Sequence, residues 1–223
     1  MPKKAGILFV IAGTVLILAA LSLFLYNRFE DAQAGRNAEN LLAGVQSAME
    51  KREMQDTGSA EGKTVTPSEI EEPTEPLDPE LPAVELDGYE YVGVISIPAL
   101  ELELPVMSEW DYDRLRIAPC RQFGSSRTDN LVIAAHNYEN HFGRLNNLNV
   151  GDTVIFTDMD GIVNTYSVEE IKTLQPTEVD AVQNSGYDLV LYTCTKGGRT
   201  RVTVFCSRVP QVSPVPAVEP ATQ

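Results

Sequence analysis

From Ala5 to Tyr26 the chain runs twenty-two residues without a charged side chain, with Thr14 and Ser22 its weakly polar interruptions. About 20 apolar residues at 1.5 Å of rise each span the roughly 30 Å hydrocarbon core of a bilayer. A helix satisfies its own backbone hydrogen bonds there. Lys3 and Lys4 precede the run, while Arg28, Glu30 and Asp31 follow it with mixed sign. The Lys/Arg bias places the short N-terminus, 1–4, in the cytoplasm and everything after the helix 5–26 outside. The alternative is a cleaved signal peptide with Ala32-Gln33-Ala34 as its small-x-small site. Signal peptides carry a shorter apolar region, roughly 7–15 residues, so an uncleaved single-pass anchor in the plasma membrane is expected. Either way the remainder is exported.

The exported part divides by composition. Residues 27–53 set Leu41, Leu42, Val45 and Met49 at helical spacing with Glu and Lys opposite, which predicts a partly helical, solvent-exposed juxtamembrane stalk. Residues 54–87 hold prolines at 67, 73, 76, 79 and 82 and ten acids against the single Lys63, the pattern of an extended acidic linker. Residues 210–223 read as a frayed Pro-rich tail. That leaves 88–209 as the segment able to build a core.

Charge and composition exclude some functions. Thirty-two acids against seventeen bases, a net charge of −15, argue against nucleic acid as a partner, because phosphate contacts need a surplus of Lys and Arg. Two histidines and three cysteines without C-x-x-C or H-x-x-x-H spacing leave no basis for a zinc site, and no other metal or cofactor is expected.

Within 88–209 the strong signals are short β-rich runs at Tyr91–Ile97, Leu102–Val106, Leu131–Ala135, Thr153–Phe156, Ile162–Val168, Leu189–Thr193 and Arg201–Phe205. Gly, Pro, Asn and Asp punctuate them. Only Asp111–Ile117 and Val179–Asn184 suit a helical turn or two. The expected fold is mostly β, a closed barrel of seven to eight strands with short helices, preceded by the transmembrane helix.

Three residues carry candidate chemistry. Cys194 ends the apolar strand Leu189–Thr193 and opens a Gly-containing loop, with Lys196, Arg199 and Arg201 nearby to favour a thiolate. A buried core cysteine is the plain alternative. His136 follows the strand Leu131–Ala135 and precedes the polar turn Asn137-Tyr138-Glu139-Asn140, a credible acid or base; His141 sits in loop sequence and reads as a surface residue. Arg201 opens the last strand, where its rigid donor fork suits an oxyanion or a peptide carbonyl, and Arg199 competes for that role.

Together these segments resemble the sortases, the membrane-anchored cysteine transpeptidases of Gram-positive bacteria. Val190-Leu-Tyr-Thr-Cys194 is similar to the family's TLxTC motif, Arg201 of Thr200-Arg-Val-Thr-Val204 to its arginine on the next strand, and Ala135-His136-Asn137 to its histidine segment. His141-Phe-Gly-Arg-Leu145 and Leu148-Asn-Val-Gly-Asp152 resemble the F-x-x-L…L…GD stretch that follows the histidine. Ala135 stands where Gly is common and Val190 where Thr is common. The acidic cluster that binds calcium in some class A members of the family cannot be matched residue by residue. Cys120 and Cys206 match no family role and read either as a disulfide or as two small buried hydrophobes.

The resemblance implies catalysis by Cys194, His136 and Arg201, with Thr193 and Arg199 along the substrate groove. It implies as partners the sorting-signal peptide of a secreted surface protein and an amine acceptor. The acceptor is a lipid-linked cell-wall precursor for an anchoring enzyme or a pilin Lys for a polymerase. An L,D-transpeptidase would carry an S-x-G-C setting, absent here, and a papain-like hydrolase would place Cys before His. A tethered, non-enzymatic binding barrel is the remaining rival.

Overall fold

The computed structural model describes residues 2–58 and 77–210. Residues 59–76 and 211–223 lie outside the described residues, and with them most of the acidic linker and nearly all of the tail. Among the described residues there are nine strands: β1 (Val84–Leu86), β2 (Tyr89–Ile97), β3 (Leu102–Met107), β4 (Cys120–Phe123), β5 (Leu131–Ala134), β6 (Thr153–Asp158), β7 (Val163–Leu174), β8 (Leu189–Cys194) and β9 (Arg201–Arg208). They form one sheet in the order β1-β2-β3-β4-β5-β8-β9-β7-β6. A further antiparallel ladder between β2 and β6, from Gly93↔Asp158 to Ser96↔Ile155, closes β2–β9 into an eight-stranded barrel. Closure removes the free edges that an open sheet would expose.

The β-rich runs read from the sequence all become strands of this barrel. Two strands had no such signal. β4 carries Arg121 and Gln122 in four residues, too polar and short to stand out, yet it pairs antiparallel with β5 and touches β3 in parallel at Met107↔Cys120. β1 lies inside the segment expected to be extended linker. Its three residues hairpin onto β2 through Val84↔Tyr91 to Leu86↔Tyr89, so the folded domain begins before residue 88. The helical turns appear as a 3-10 turn at Arg114–Arg116 and as α2 (Asp180–Gln183).

Alternation along the strands sorts side chains between two faces. Val92, Ile95, Leu104, Val106, Leu131, Ile133, Phe156, Tyr166, Leu189, Leu191 and Val204 fill the barrel interior. A bulge in β2 between Tyr91 and Gly93 resets the alternation, so Tyr91 and Val94 face outward while Val92 and Ile95 face in. Those outward residues need a cover, and the N-terminal helix supplies it.

That helix, α1 (Pro2–Gly58), is one unbroken element of 57 residues, about 86 Å long at the usual rise. It is long and apolar enough near its N-terminus to cross a membrane. Its second half is docked on the barrel and is not the solvent-exposed stalk expected from the sequence. Val45 is 1% exposed, and with Leu41, Leu42 and Met49 it packs on Tyr91, Val94, Met107, Ala118 and Met159. Burying a side chain such as Val45 stabilises by about 1.5–3 kcal/mol, so the stripe contributes by seating on the outer face of β2 and β3. Small residues allow the close approach: Ala34 and Ala38 are buried, and a Cβ at Gly35 would lie 2.7 Å from Asn140 Nδ2. Of the Ala32-Gln33-Ala34 segment that resembles a cleavage site, Ala34 is buried and Ala32 and Gln33 are exposed.

Candidate active site

β5 and β8 run parallel, with register Leu131↔Leu189 through Ala134↔Tyr192. The ladder extends one step further, where Ala135 N–H donates to Tyr192 O at 3.2 Å. Carried forward, that register sets His136 level with Cys194. On the other side β8 and β9 are antiparallel, and Cys194 is the direct partner of Arg201. Three strand ends thus bring together residues that stand fifty-eight and seven positions apart in the chain. All three side chains are partly exposed.

Leu189 and Leu191 point into the barrel and Val190 and Tyr192 out of it, so Cys194 shares the outer face. Thr193 falls on the inner face, 2% exposed, and its hydroxyl donates to Ala135 O at 2.8 Å. It ties the strand end bearing Cys194 to the strand end bearing His136 and does not line a groove. Arg201 donates through Nη1 to Gly198 O and Thr200 O, both at 3.1 Å, which holds the guanidinium beside the turn. Arg199 lies exposed in that turn, before β9 begins. Only Arg201 is paired with Cys194.

Two clefts flank the trio. The first, about 170 Å³, is lined by Arg201, Tyr192, Trp110, Tyr112, Leu174 and Val182. Its walls are largely aromatic and aliphatic, and Trp110 Nε1–H is buried with no hydrogen-bond partner. The second, about 450 Å³, is lined by His136, Tyr138, Lys196 and Arg116 together with Phe24 and Arg28 of α1. Sequence reasoning missed Trp110, Tyr138 and the α1 wall, since nothing local marks a loop aromatic or a helix turn as neighbour to a distant strand end.

His136 Nδ1 is 3.1 Å from both the backbone N–H and the side-chain Oδ1 of Asn137. When Nδ1 is protonated it donates to that carbonyl oxygen, which leaves Nε2 to face the chemistry. The Tyr138 ring stacks on the imidazole with centroids 4.2 Å apart and planes 8° from parallel.

His141 is not at the surface as its loop setting suggested. It is fully buried beneath α1 near the Ala34 backbone, neither ring nitrogen has a well-formed hydrogen bond, and burial, helped by the charge of His136, pushes its pKa down to about 4. Cys120 and Cys206 are free and buried in separate clusters, so the disulfide alternative does not hold. Burial pushes both thiols up to about 12. Cys194 is the one partly exposed thiol of the three.

A closed eight-stranded barrel with a few short helices, preceded by an apolar helix, is the architecture of a sortase-like fold. Residues 95–209 match the family model described as the Sortase domain, half of the chain. The chain belongs to the sortase family. Among solved structures it is similar to sortase C of Streptococcus pneumoniae, at 24% identity over 80% of this chain and 98% of that one, with a TM-score of 0.51. It is also similar to sortase C1 from Streptococcus agalactiae, at 25% identity over 57% of this chain and 72% of that one, TM-score 0.49. A Clostridium perfringens sortase D5 transpeptidase gives 20% identity over 54% of this chain and 79% of that one, TM-score 0.45. No curated protein matches the sequence.

Proposed function

We propose that this protein is a membrane-anchored transpeptidase that cleaves a sorting signal after Thr and transfers the cleaved protein to an amine at the outer face of the plasma membrane. The observation that carries the reading is the pair of registers that sets His136 and Arg201 on either side of Cys194.

The Cys194 thiolate attacks the Thr carbonyl carbon, and the developing oxyanion is met by the Arg201 donors. The protonated His136 gives its proton to the leaving amine, the C–N bond breaks and a thioester remains on Cys194. An incoming amine attacks that thioester and passes its proton to His136. The new amide forms and the thiolate leaves. The cleft beside Arg201, lined by aromatic and aliphatic residues together with Gln122, Gln175 and Glu178, suits the sorting peptide, and the cleft beside His136 suits the amine, because His136 must exchange a proton with both leaving and entering nitrogens. No metal or cofactor enters the scheme.

With α1 crossing the bilayer and its N-terminus in the cytoplasm, the barrel sits where exported substrates and lipid-linked acceptors emerge. The acceptor is a cell-wall cross-bridge amine, with a pilin Lys as the alternative.

The test is intact-mass spectrometry of the full chain in detergent, mixed with a panel of sorting pentapeptides. An acyl adduct that vanishes in Cys194→Ala, and fails to accumulate in His136→Ala, supports the reading. Absence of alkylation at Cys194 in the folded chain overturns it.

A further inference from the structure

The segment after His136 is unusually well held for a loop. Phe142 N–H donates to His136 O at 3.2 Å, and Tyr138 O accepts from His141 N–H at 3.0 Å and Gly143 N–H at 2.9 Å. A Cβ at Gly143 would meet Asn137 O at 2.5 Å and Tyr138 O at 2.6 Å, so no larger residue fits without moving this turn. Inside the turn three rings stand in a row. Tyr138 lies flat against His136 on one side, and its other neighbour is His141, edge-on at 5.5 Å and 67°.

Parallel stacking of two aromatic rings is a favourable contact when the rings are offset, so the pair holds together with a neutral imidazole. The contact strengthens when the imidazole carries a positive charge, since the π-face of Tyr then faces a cation. The stacking therefore holds the imidazole ring in place whatever its charge, and His141, buried and held neutral, adds no competing charge at the far side.

The outer edge of the same turn is held by α1. Asp31 Oδ1 accepts from the Glu139 backbone N–H at 2.8 Å, Asp31 O accepts from Asn140 Nδ2 at 3.1 Å, and Arg28 reaches Glu139 Oε2 at 3.2 Å. The last of these is exposed on both sides and contributes little. Asp31 makes the bond to backbone, one turn before Gly35, where a Cβ would meet the Asn140 side chain.

We propose that Tyr138 is a positioning residue that holds the His136 ring by stacking, and that Asp31 of α1 sets Tyr138 by pinning the turn. The helix that anchors the chain is then also part of what orients its general acid. This rests on the transpeptidase reading for its kinetic consequence but not for its geometry, and the experiment separates the two.

The full chain in detergent is labelled with ¹³C at histidine Cε1, which yields two signals because the chain has two histidines. Stacking shifts the His136 ε1 proton upfield through the Tyr138 ring current. Tyr138→Phe keeps that displacement and Tyr138→Leu abolishes it. Asp31→Asn, which retains the acceptor oxygen, keeps it, and Asp31→Ala reduces it. In pentapeptide transfer, Tyr138→Leu lowers kcat about ten- to a hundredfold, the scale expected for a misplaced catalytic group. Its KM stays unchanged, and Tyr138→Phe restores kcat.

An unshifted His136 proton in the wild type overturns the proposal, as does a Tyr138→Phe loss equal to that of Tyr138→Leu. A normal signal in Asp31→Ala overturns the helix's part. A wild type that shows the ring-current shift but transfers no peptide defeats the transpeptidase reading and leaves the stacking geometry standing.

Discussion

Thr193 hands its hydroxyl hydrogen to the carbonyl of Ala135, buried and 2.8 Å away. That bond joins the residue before Cys194 to the residue before His136, so Cys194 and His136 share one rigid seam. Thr193→Val leaves the Ala135 carbonyl without this donor, and a buried group unsatisfied in this way costs about 1–3 kcal/mol. We expect a lowered thermal midpoint and a reduced kcat in Thr193→Val, with both recovered in Thr193→Ser. Equal turnover in Val and Ser variants would show that the seam does not matter to the chemistry.

The two arginines near Cys194 separate cleanly. Arg201 is register-paired with Cys194, while Arg199 lies exposed in the turn. Arg201→Ala should lower kcat by about 10²–10³, the loss seen when an oxyanion donor is removed. Arg199→Ala should leave turnover unchanged. Steady-state rates with one pentapeptide decide it, and a reversed ranking would move the oxyanion role to Arg199.

Thiol chemistry should distinguish the three cysteines. Cys120 and Cys206 are buried, with thiols pushed up to about 12, whereas Cys194 is partly exposed. The thiolate is the reactive form. Iodoacetamide at pH 8 should therefore add one label to the folded chain, at Cys194, and three after denaturation. Peptide mapping that finds the label on Cys120 or Cys206 would contradict the placement.

His141 predicts an acid limb in stability. Its folded pKa of about 4 lies below the ordinary 6.5, so the unfolded chain binds the proton first. The associated stability is complete above pH 6.5, is lost as the pH falls toward 4, and by then totals about 3 kcal/mol. Urea unfolding between pH 7 and 4 should show this decline, and His141→Phe should flatten it. An unchanged slope in that variant would assign the decline to other groups.

The barrel seam carries a buried ion pair. Arg127 donates Nε and Nη2 to Asp158 Oδ2 at 3.1 and 2.9 Å, and Asp158 Oδ1 accepts from the N–H groups of Asp160 and Ile162, each at 3.0 Å. Asp158 is fully buried where β6 closes onto Gly93 of β2. Removing Asp158 leaves Arg127 paired with Asp160 Oδ2 at 2.6 Å but strips the Asp160 and Ile162 N–H groups of their acceptor, and each buried group left unsatisfied costs about 1–3 kcal/mol. Asp158→Ala should fall in that range by urea denaturation, while kcat at low temperature changes little.

Much of this was legible in the linear chain. The apolar run Ala5–Tyr26, the β-rich strand segments and the strand-end settings of His136 and Cys194 are all local patterns of hydropathy and punctuation. Local patterns survive into the fold because they report which face of an element must leave water. Beyond their reach were β4, too polar to show a period, β1, hidden in an acidic stretch, and His141, whose loop sequence conceals its burial.

The sequence by itself determined the kind of elements, their order and the strand-end settings of the candidate residues His136 and Cys194. The tertiary structure alone decided that a parallel β5–β8 register sets His136 level with Cys194. It also decided that Arg201 and not Arg199 faces Cys194, and that α1 lies on the barrel with Asp31 gripping the His136 turn. Hydropathy says which face must be covered, but only the closed geometry of the barrel settles what covers it.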